Sequence, residues 1–144
     1  MKSLRHLTLA AVLLLAVSAY VQVSAKNYVA PKSYMFGFAA SFNDSIVYFT
    51  DIQEVDSVWL TSKKAMLAGR SNYSYQLRDH FNTQLGMPNR TCIVISNVDR
   101  KKVEKKYNKM KKQYTKRPGQ YDVRYLSASD FKFTSVNMDD SENK

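Results

Sequence analysis

Two short alternating runs separated by an Asn-Asp pair constrain this chain more than any other feature. Phe36, Phe38, Ala40 and Phe42 recur at every second position, the spacing that lines up side chains on one face of a strand. After Asn43 and Asp44 the alternation resumes, with Ile46, Tyr48, Thr50 and Ile52 on one side and Val47 and Phe49 on the other. Asn and Asp tolerate positive φ, so the pair predicts a hairpin joining strands over 34–42 and 45–52. The chain must therefore build a sheet.

The rest of the sequence supplies the cover for that sheet. Between Gln53 and Arg70, the apolar residues Val55, Val58, Trp59, Leu60, Met66 and Leu67 fit neither strand nor helix period. A short continuation and an irregular connection are expected there, with Trp59 folded onto the core. From Tyr73 the apolar positions Leu77, Phe81 and Leu85 follow at intervals of four, which predicts a helix capped by Ser71 and stopped by Gly86 and Pro88. Thr91 to Ser96 is mostly apolar and reads as a central third strand. Asn97 or Asp99 then caps a second helix over about 99–114, Arg117-Pro118-Gly119 turns the chain, and Tyr121 to Leu126 alternates as a fourth strand. Phe131 and Phe133 pack at the end.

The order is thus β-β-α-β-α-β. The expected fold is α/β (α+β): a two-layer sandwich with a small mixed four-stranded sheet covered by two helices. Phe36, Phe38, Ile46, Tyr48, Ile93 and Ile95 should form its core beneath Leu77 and Phe81. Lys26 to Ser33 is expected to be a flexible lead and residues 135–144 a polar tail, leaving one domain over 34–134.

The first residues carry an address. Lys2 and Arg5 precede an apolar run from Leu7 to Tyr20, and Val23-Ser24-Ala25 offers a cut site, the layout of a cleaved export signal. A spanning helix needs roughly 20 mainly apolar residues, and this run is shorter. Removal of 25 of the 144 residues leaves 119, enough for one domain. A periplasmic or secreted chain with no transmembrane segment after cleavage is expected. Its one cysteine, Cys92, excludes a disulfide framework and sits in a strand-like run where a buried, inert thiol is expected.

The stretches FAASFNDSIVYFTDIQ, NYSYQLRDHF, NRTCIVI, EKKYNKMKKQY and DFKF, spread over Tyr34 to Phe133, resemble a group of small exported proteins of Bacteroides-type bacteria whose function is uncharacterised. The resemblance implies a periplasmic setting and brings no catalytic residues with it.

Charge is concentrated in one element. Residues 100–117 hold ten Lys or Arg against the single acid Glu104. Val103, Tyr107, Met110 and Tyr114 fall at helical spacing and form one narrow apolar stripe. If that stripe docks on the sheet, Lys102, Lys105, Lys109 and Lys112 project outward as a cationic surface. Like charges stand four apart at Lys101/Lys105, Lys102/Lys106, Lys105/Lys109 and Lys112/Lys116, at a cost of about 0.2–0.5 kcal/mol per pair. Either that cost is tolerated for solubility or the field serves an anionic partner. In a periplasm the candidates are anionic lipid head groups, lipopolysaccharide phosphates, acidic glycans or an acidic protein. Nucleic acid fits the charge but not the address. Lysine outnumbers arginine eight to two in this segment, which favours diffuse attraction over bidentate recognition.

Catalytic patterns are sparse. HExxH, CxxC, GxSxG, Walker and GxGxxG motifs are absent from the sequence. His80 stands at the edge of an apolar helix face, and nothing in the sequence pairs it with Cys92 or an acid. Asp44, Asp51, Glu54 and Asp56 cluster around the hairpin without EF-hand spacing. The expectation is an exported non-enzymatic domain, with no cofactor or metal, that binds an anionic envelope component through the Lys-rich helix. The alternatives are a structural or accessory periplasmic protein whose basic helix is merely solvated, and a small Asp/His hydrolase.

Overall fold

In the computed structural model, which describes residues 26–62 and 64–138, one long strand organises the whole sheet. β1 (Asn27–Ala40) pairs antiparallel on one edge with β2 (Ile46–Thr50) and β3 (Gln53–Thr61), which lie end to end along it. On its other edge β1 pairs antiparallel with β4 (Thr91–Asn97). β5 (Asp122–Leu126) adds to β2 in parallel. Among the described residues two helices, α1 (Arg70–Thr83) and α2 (Arg100–Thr115), cover the sheet. The export signal expected over residues 1–25 lies outside the described residues.

The expectation of a mixed sheet with two helices holds, and three of its details are corrected. The sheet has five strands and the order is β-β-β-α-β-α-β. β4 is an edge strand, since among the described residues it pairs with β1 alone. Its apolar character reflects cover on two faces rather than two neighbours: Val94 packs on the α1 side and Ile95 on the α2 side.

The helices lie on opposite faces, so the molecule has three layers and not two. Met35, Ala39, Tyr48 and Val94 pack with Tyr73, Leu77 and Phe81 of α1. Phe36, Phe38, Val47 and Phe49 pack with Val103, Tyr107, Met110 and Tyr114 of α2. The crossover from β3 to β4 passes β1 in one direction, and the crossover from β4 to β5 returns in the other. Two crossovers of the same hand that run in opposite directions must place their helices on opposite faces. Leu77 and Phe81 therefore cover Tyr48 but not Phe36 or Phe38. Ile46 and Ile95 are half-buried, and Ile93 is exposed.

β3 escaped recognition because its alternation breaks. Gln53 and Val55 point inward, then Val58 and Leu60, with Ser57 at φ 53° between them. β1 steps in the same way, from Ala30 to Ser33 across Pro31, while the pairs Ala30↔Val58 and Lys32↔Asp56 keep their register. Proline has no N–H to give the ladder, so the distortion falls where β1 would lose a bond in any case. Trp59 is half-buried and its carbonyl accepts the Ala68 N–H at 2.9 Å. The lead expected to be flexible is the paired first half of β1.

α1 starts one residue earlier than Ser71 and has no side-chain cap; Gly69 at φ 64° precedes it. A Cβ there would lie 2.6 Å from the Met138 sulfur; that flexible side chain can give way, so it is the left-handed backbone that calls for glycine. Leu77 also approaches the sheet so closely that a Cβ on Gly37 would come within 2.5 Å of its Cδ2. At the far end Gly86 takes φ 60° and Leu85, the last residue of the expected stripe, is exposed.

Past β5 the chain folds back over the α1 layer. Two glutamine amides hold it as strand neighbours would. Gln53 donates to the Phe131 carbonyl and accepts from the Phe133 N–H, both at 2.9 Å. Gln76 treats Thr134 in the same way, again at 2.9 Å for each bond. Phe131 and Phe133 are buried between these clamps, and the Val136 N–H donates to the Tyr73 hydroxyl at 3.1 Å. The segment expected to be a polar tail is thus packed at Val136, and its residues 139–144 lie outside the described residues.

Candidate functional site

α2 is seated as its periodicity predicts. Val103 is fully buried, and Tyr107 and Tyr114 meet Phe36, Phe38 and Phe49 in tilted or edge-on ring contacts with centroids 4.8 to 6.1 Å apart. Edge-on pairs of this kind are worth about 0.5–1.5 kcal/mol each beyond their buried area. Burial raises the hydroxyl pKa of both tyrosines. Asp99 caps the helix by accepting the Lys101 N–H at 2.9 Å, and Asn97 in turn accepts the Asp99 N–H at 2.9 Å. Both residues proposed as caps are therefore used, in series.

With the stripe fixed against the sheet, Lys102, Lys105, Lys109 and Lys112 are all exposed. At about 100° per residue they share an arc of about 80°, roughly opposite the buried stripe. None of the four makes an ion pair among the described residues. Glu104, the segment's single acid, is engaged by Arg100 at 2.8 Å. An uncompensated cationic crown results, built from lysine on a rigid element.

Neighbouring residues fix how that crown is oriented. The Lys111 ammonium sits 4.9 Å from the centroid of Tyr125, which turns one flank of α2 toward β5. Lys106 lines a cleft with Val94, Ile95, Ser96 and Asn97, which turns the other flank toward β4. That cleft, of about 270 Å³, also takes Lys64 and Arg70 in its walls. Lys64 from the β3–α1 connection, Arg70 from α1 and Lys106 from α2 thus line one cleft, an arrangement that no local sequence pattern announces. The Arg70 side chain is tied by its Nε–H to the Val94 carbonyl at 2.9 Å.

A second cavity, of about 290 Å³, opens between β1, β4 and the C-terminal end of α2. Phe38, Ala40, Phe42, Ile93 and Tyr114 make it mainly apolar. Phe42 departs from expectation here. Its alternation with Phe36 and Phe38 placed it on a buried strand face, but β1 ends at Ala40 and the Phe42 side chain is fully exposed, at 103%.

The remaining candidates have structural employment. Asp44 accepts from the Ile46 N–H at 2.9 Å and from Arg90 at 2.7 Å. Asp51 accepts from the Ala128 N–H at 3.0 Å, and Glu54 pairs with Lys32 at 2.6 Å. His80 packs its ring against Phe131, centroids 5.2 Å apart, and its Nε2 is buried without a hydrogen-bond partner. Among the described residues no three His, Cys, Asp or Glu side chains converge on a point that could hold a metal ion. No helix among them is long and apolar enough to cross a membrane.

Cys92 is half-buried against the α1 core, and its thiol donates to the Arg90 carbonyl at 3.9 Å. Burial pushes its thiol pKa up to about 11, against the opposing pull of Arg78 and Arg90. The thiolate is the reactive form, so native protein at pH 8 should resist a thiol reagent over a time in which the unfolded chain labels fully. Rapid labelling of the native state would show that the β4 edge opens.

No protein-family model, curated protein or solved structure matches this chain.

Proposed function

We propose that this chain is an exported, non-enzymatic binding domain that holds an anionic envelope component on the crown of α2. The reading rests on one observation above all: four lysines stand exposed on one arc of a helix whose opposite face is locked into the core. A helix that only needed solubility could alternate signs and gain pairing energy. This one accepts repeated like-charge neighbours and places only Glu104 against them. The export signal and the resemblance to small Bacteroides-type exported proteins supply the periplasmic or secreted address.

Chemically, such a surface works by attraction rather than by shape. Lysine is a compact, strongly hydrated charge on a flexible stem, suited to a polyanion without fixed geometry. The field is screened over about 8 Å at physiological ionic strength, so the ligand must come to the helix surface to feel it.

Replacing Lys102, Lys105, Lys109 and Lys112 together with glutamine tests the reading. Folding should be unchanged or slightly improved, because like-charge pairs are relieved. Binding to dextran sulfate at low salt should weaken more than about tenfold, since a lysine beside an anionic surface contributes about 1 kcal/mol. Equal binding by wild type and variant would leave α2 as a solvated helix and end the proposal.

A further inference from the structure

Phe42, the apolar cavity beside it and the lysine crown occupy one side of the molecule. Lys106 against β4 and Lys111 above Tyr125 fix the rotation of α2 about its axis. With that rotation, Lys102 and Lys109 fall on the β4 flank, while Lys105 and Lys112 crown the helix. The cavity lined by Phe38, Ala40, Ile93 and Tyr114 opens on that same β4 flank, and Phe42 forms its outer wall. Ile93, on the edge strand, adds a second exposed apolar side chain.

From this juxtaposition we infer that the protein seats itself on an anionic lipid bilayer, with the lysine crown on the headgroups and Phe42 and Ile93 dipping into the apolar boundary beneath them. The inference rests on the proposed polyanion binding and names its partner. Charge alone would suit a glycan or an acidic protein equally well. A glycan, however, offers no apolar layer to take up a fully exposed phenylalanine, and a bilayer offers both layers at the right relation. The apolar side chains of membrane-surface proteins, phenylalanine among them, bury into the boundary between headgroups and hydrocarbon, and a loop tip beside the end of a cationic helix can deliver one there. Lysines also suit a fluid headgroup layer, in which phosphates have no fixed positions for a bidentate fork to match.

Phe42 is the residue on which the inference turns. It makes no ring contact among the described residues and lies beyond the last paired residue of β1, so Phe42→Ser can be made without touching the core. The purified chain from Lys26, as the expected cleavage leaves it, and two variants, Phe42→Ser and the fourfold Lys→Gln, would be titrated with three probes. These are phosphatidylcholine vesicles containing phosphatidylglycerol, whose anionic headgroups give the surface a negative potential, dextran sulfate and polyglutamate.

The expected result is that wild type binds the vesicles and retains part of that binding in high salt. Phe42→Ser should bind them about 10- to 100-fold more weakly, the equivalent of burying one phenylalanine, and lose the salt-resistant part. It should bind dextran sulfate as wild type does. The fourfold lysine variant should lose both ligands. Unchanged vesicle binding by Phe42→Ser would overturn the bilayer inference and leave polyanion binding standing. Binding of dextran sulfate or polyglutamate without vesicles would overturn it too, in favour of a glycan or an acidic protein. If wild type binds none of the three probes, the underlying reading fails with it. Ile93→Ser serves as a third variant, with the same direction expected as for Phe42→Ser and a smaller loss, because Ile93 is only 38% exposed.

Discussion

Replacing Phe81 with alanine should cost about 3–5 kcal/mol of folding stability. Phe81 is fully buried at the last full turn of α1, where its ring meets Tyr48 edge-on at 4.9 Å and lies 5.9 Å from the Arg90 guanidinium. Its carbonyl also accepts the Met87 N–H at 2.8 Å, beside the glycine that ends the helix. Truncation therefore leaves a cavity in the core between α1 and β2. The companion variant Leu85→Ala, one turn further along the expected stripe but exposed, should change stability by less than about 0.5 kcal/mol. Denaturant unfolding of both variants checks the pair. A loss below about 1 kcal/mol at Phe81 would mean that α1 does not pack on Tyr48.

Arg90→Ala should also be damaging, because it removes two charge-assisted hydrogen bonds, each worth about 1.5–3 kcal/mol. The Arg90 side chain is only 1% exposed, yet it carries a full charge. It donates to the Ile46 carbonyl at 2.8 Å and to the Asp44 carboxylate at 2.7 Å, and its guanidinium lies 5.4 Å from the Tyr48 ring centroid. Through these contacts the residue before β4 holds the β1–β2 turn from across the sheet. Arg90→Lys should rescue little, because one ammonium cannot reproduce the fork that serves both acceptors.

The same link gives an acid limb. Desolvation pushes the Asp44 pKa up, but the Ile46 N–H, the Arg90 hydrogen bond and the Arg90 charge outweigh it and hold the carboxyl below its ordinary value. A group depressed on folding stabilises fully above its unfolded pKa and loses that contribution as pH falls through the folded one. Wild type should therefore lose stability below about pH 4, and Asp44→Asn should flatten that part of the decline in thermal unfolding across pH.

How far these elements could be read in advance depended on whether their period was intact. The stripe Val103, Tyr107, Met110, Tyr114 and the alternation from Ile46 to Thr50 are regular, and both elements form where the pattern predicts. β3 was hidden because the paired distortion at Pro31 and Ser57 shifts the phase in mid-strand, so that Val55 and Val58 face the same way. β4 looked central because apolar residues on both faces report cover above and below, whichever strands lie beside it. Phe42 looked buried because alternation carries no information about where pairing stops. Of the candidate site, the lysine crown was legible, since one helix contains it. The meeting of Phe42, Ile93 and Tyr114 was not, since it depends on which side of β1 the chain places β4.

The glutamine clamps on the returning segment bear on the order of events during synthesis. Gln53 and Gln76 are made long before the residues they hold, Phe131 and Phe133 for the first and Thr134 for the second. Until those phenylalanines leave the ribosome, the α1 layer is an open trough, with apolar Tyr73 and Leu77 and two unanswered amides along its floor. The nascent chain can thus form the β1–β2 hairpin early and still not close its core. Completion is a late, single step in which a short strap brings both the missing apolar volume and the missing hydrogen-bond partners.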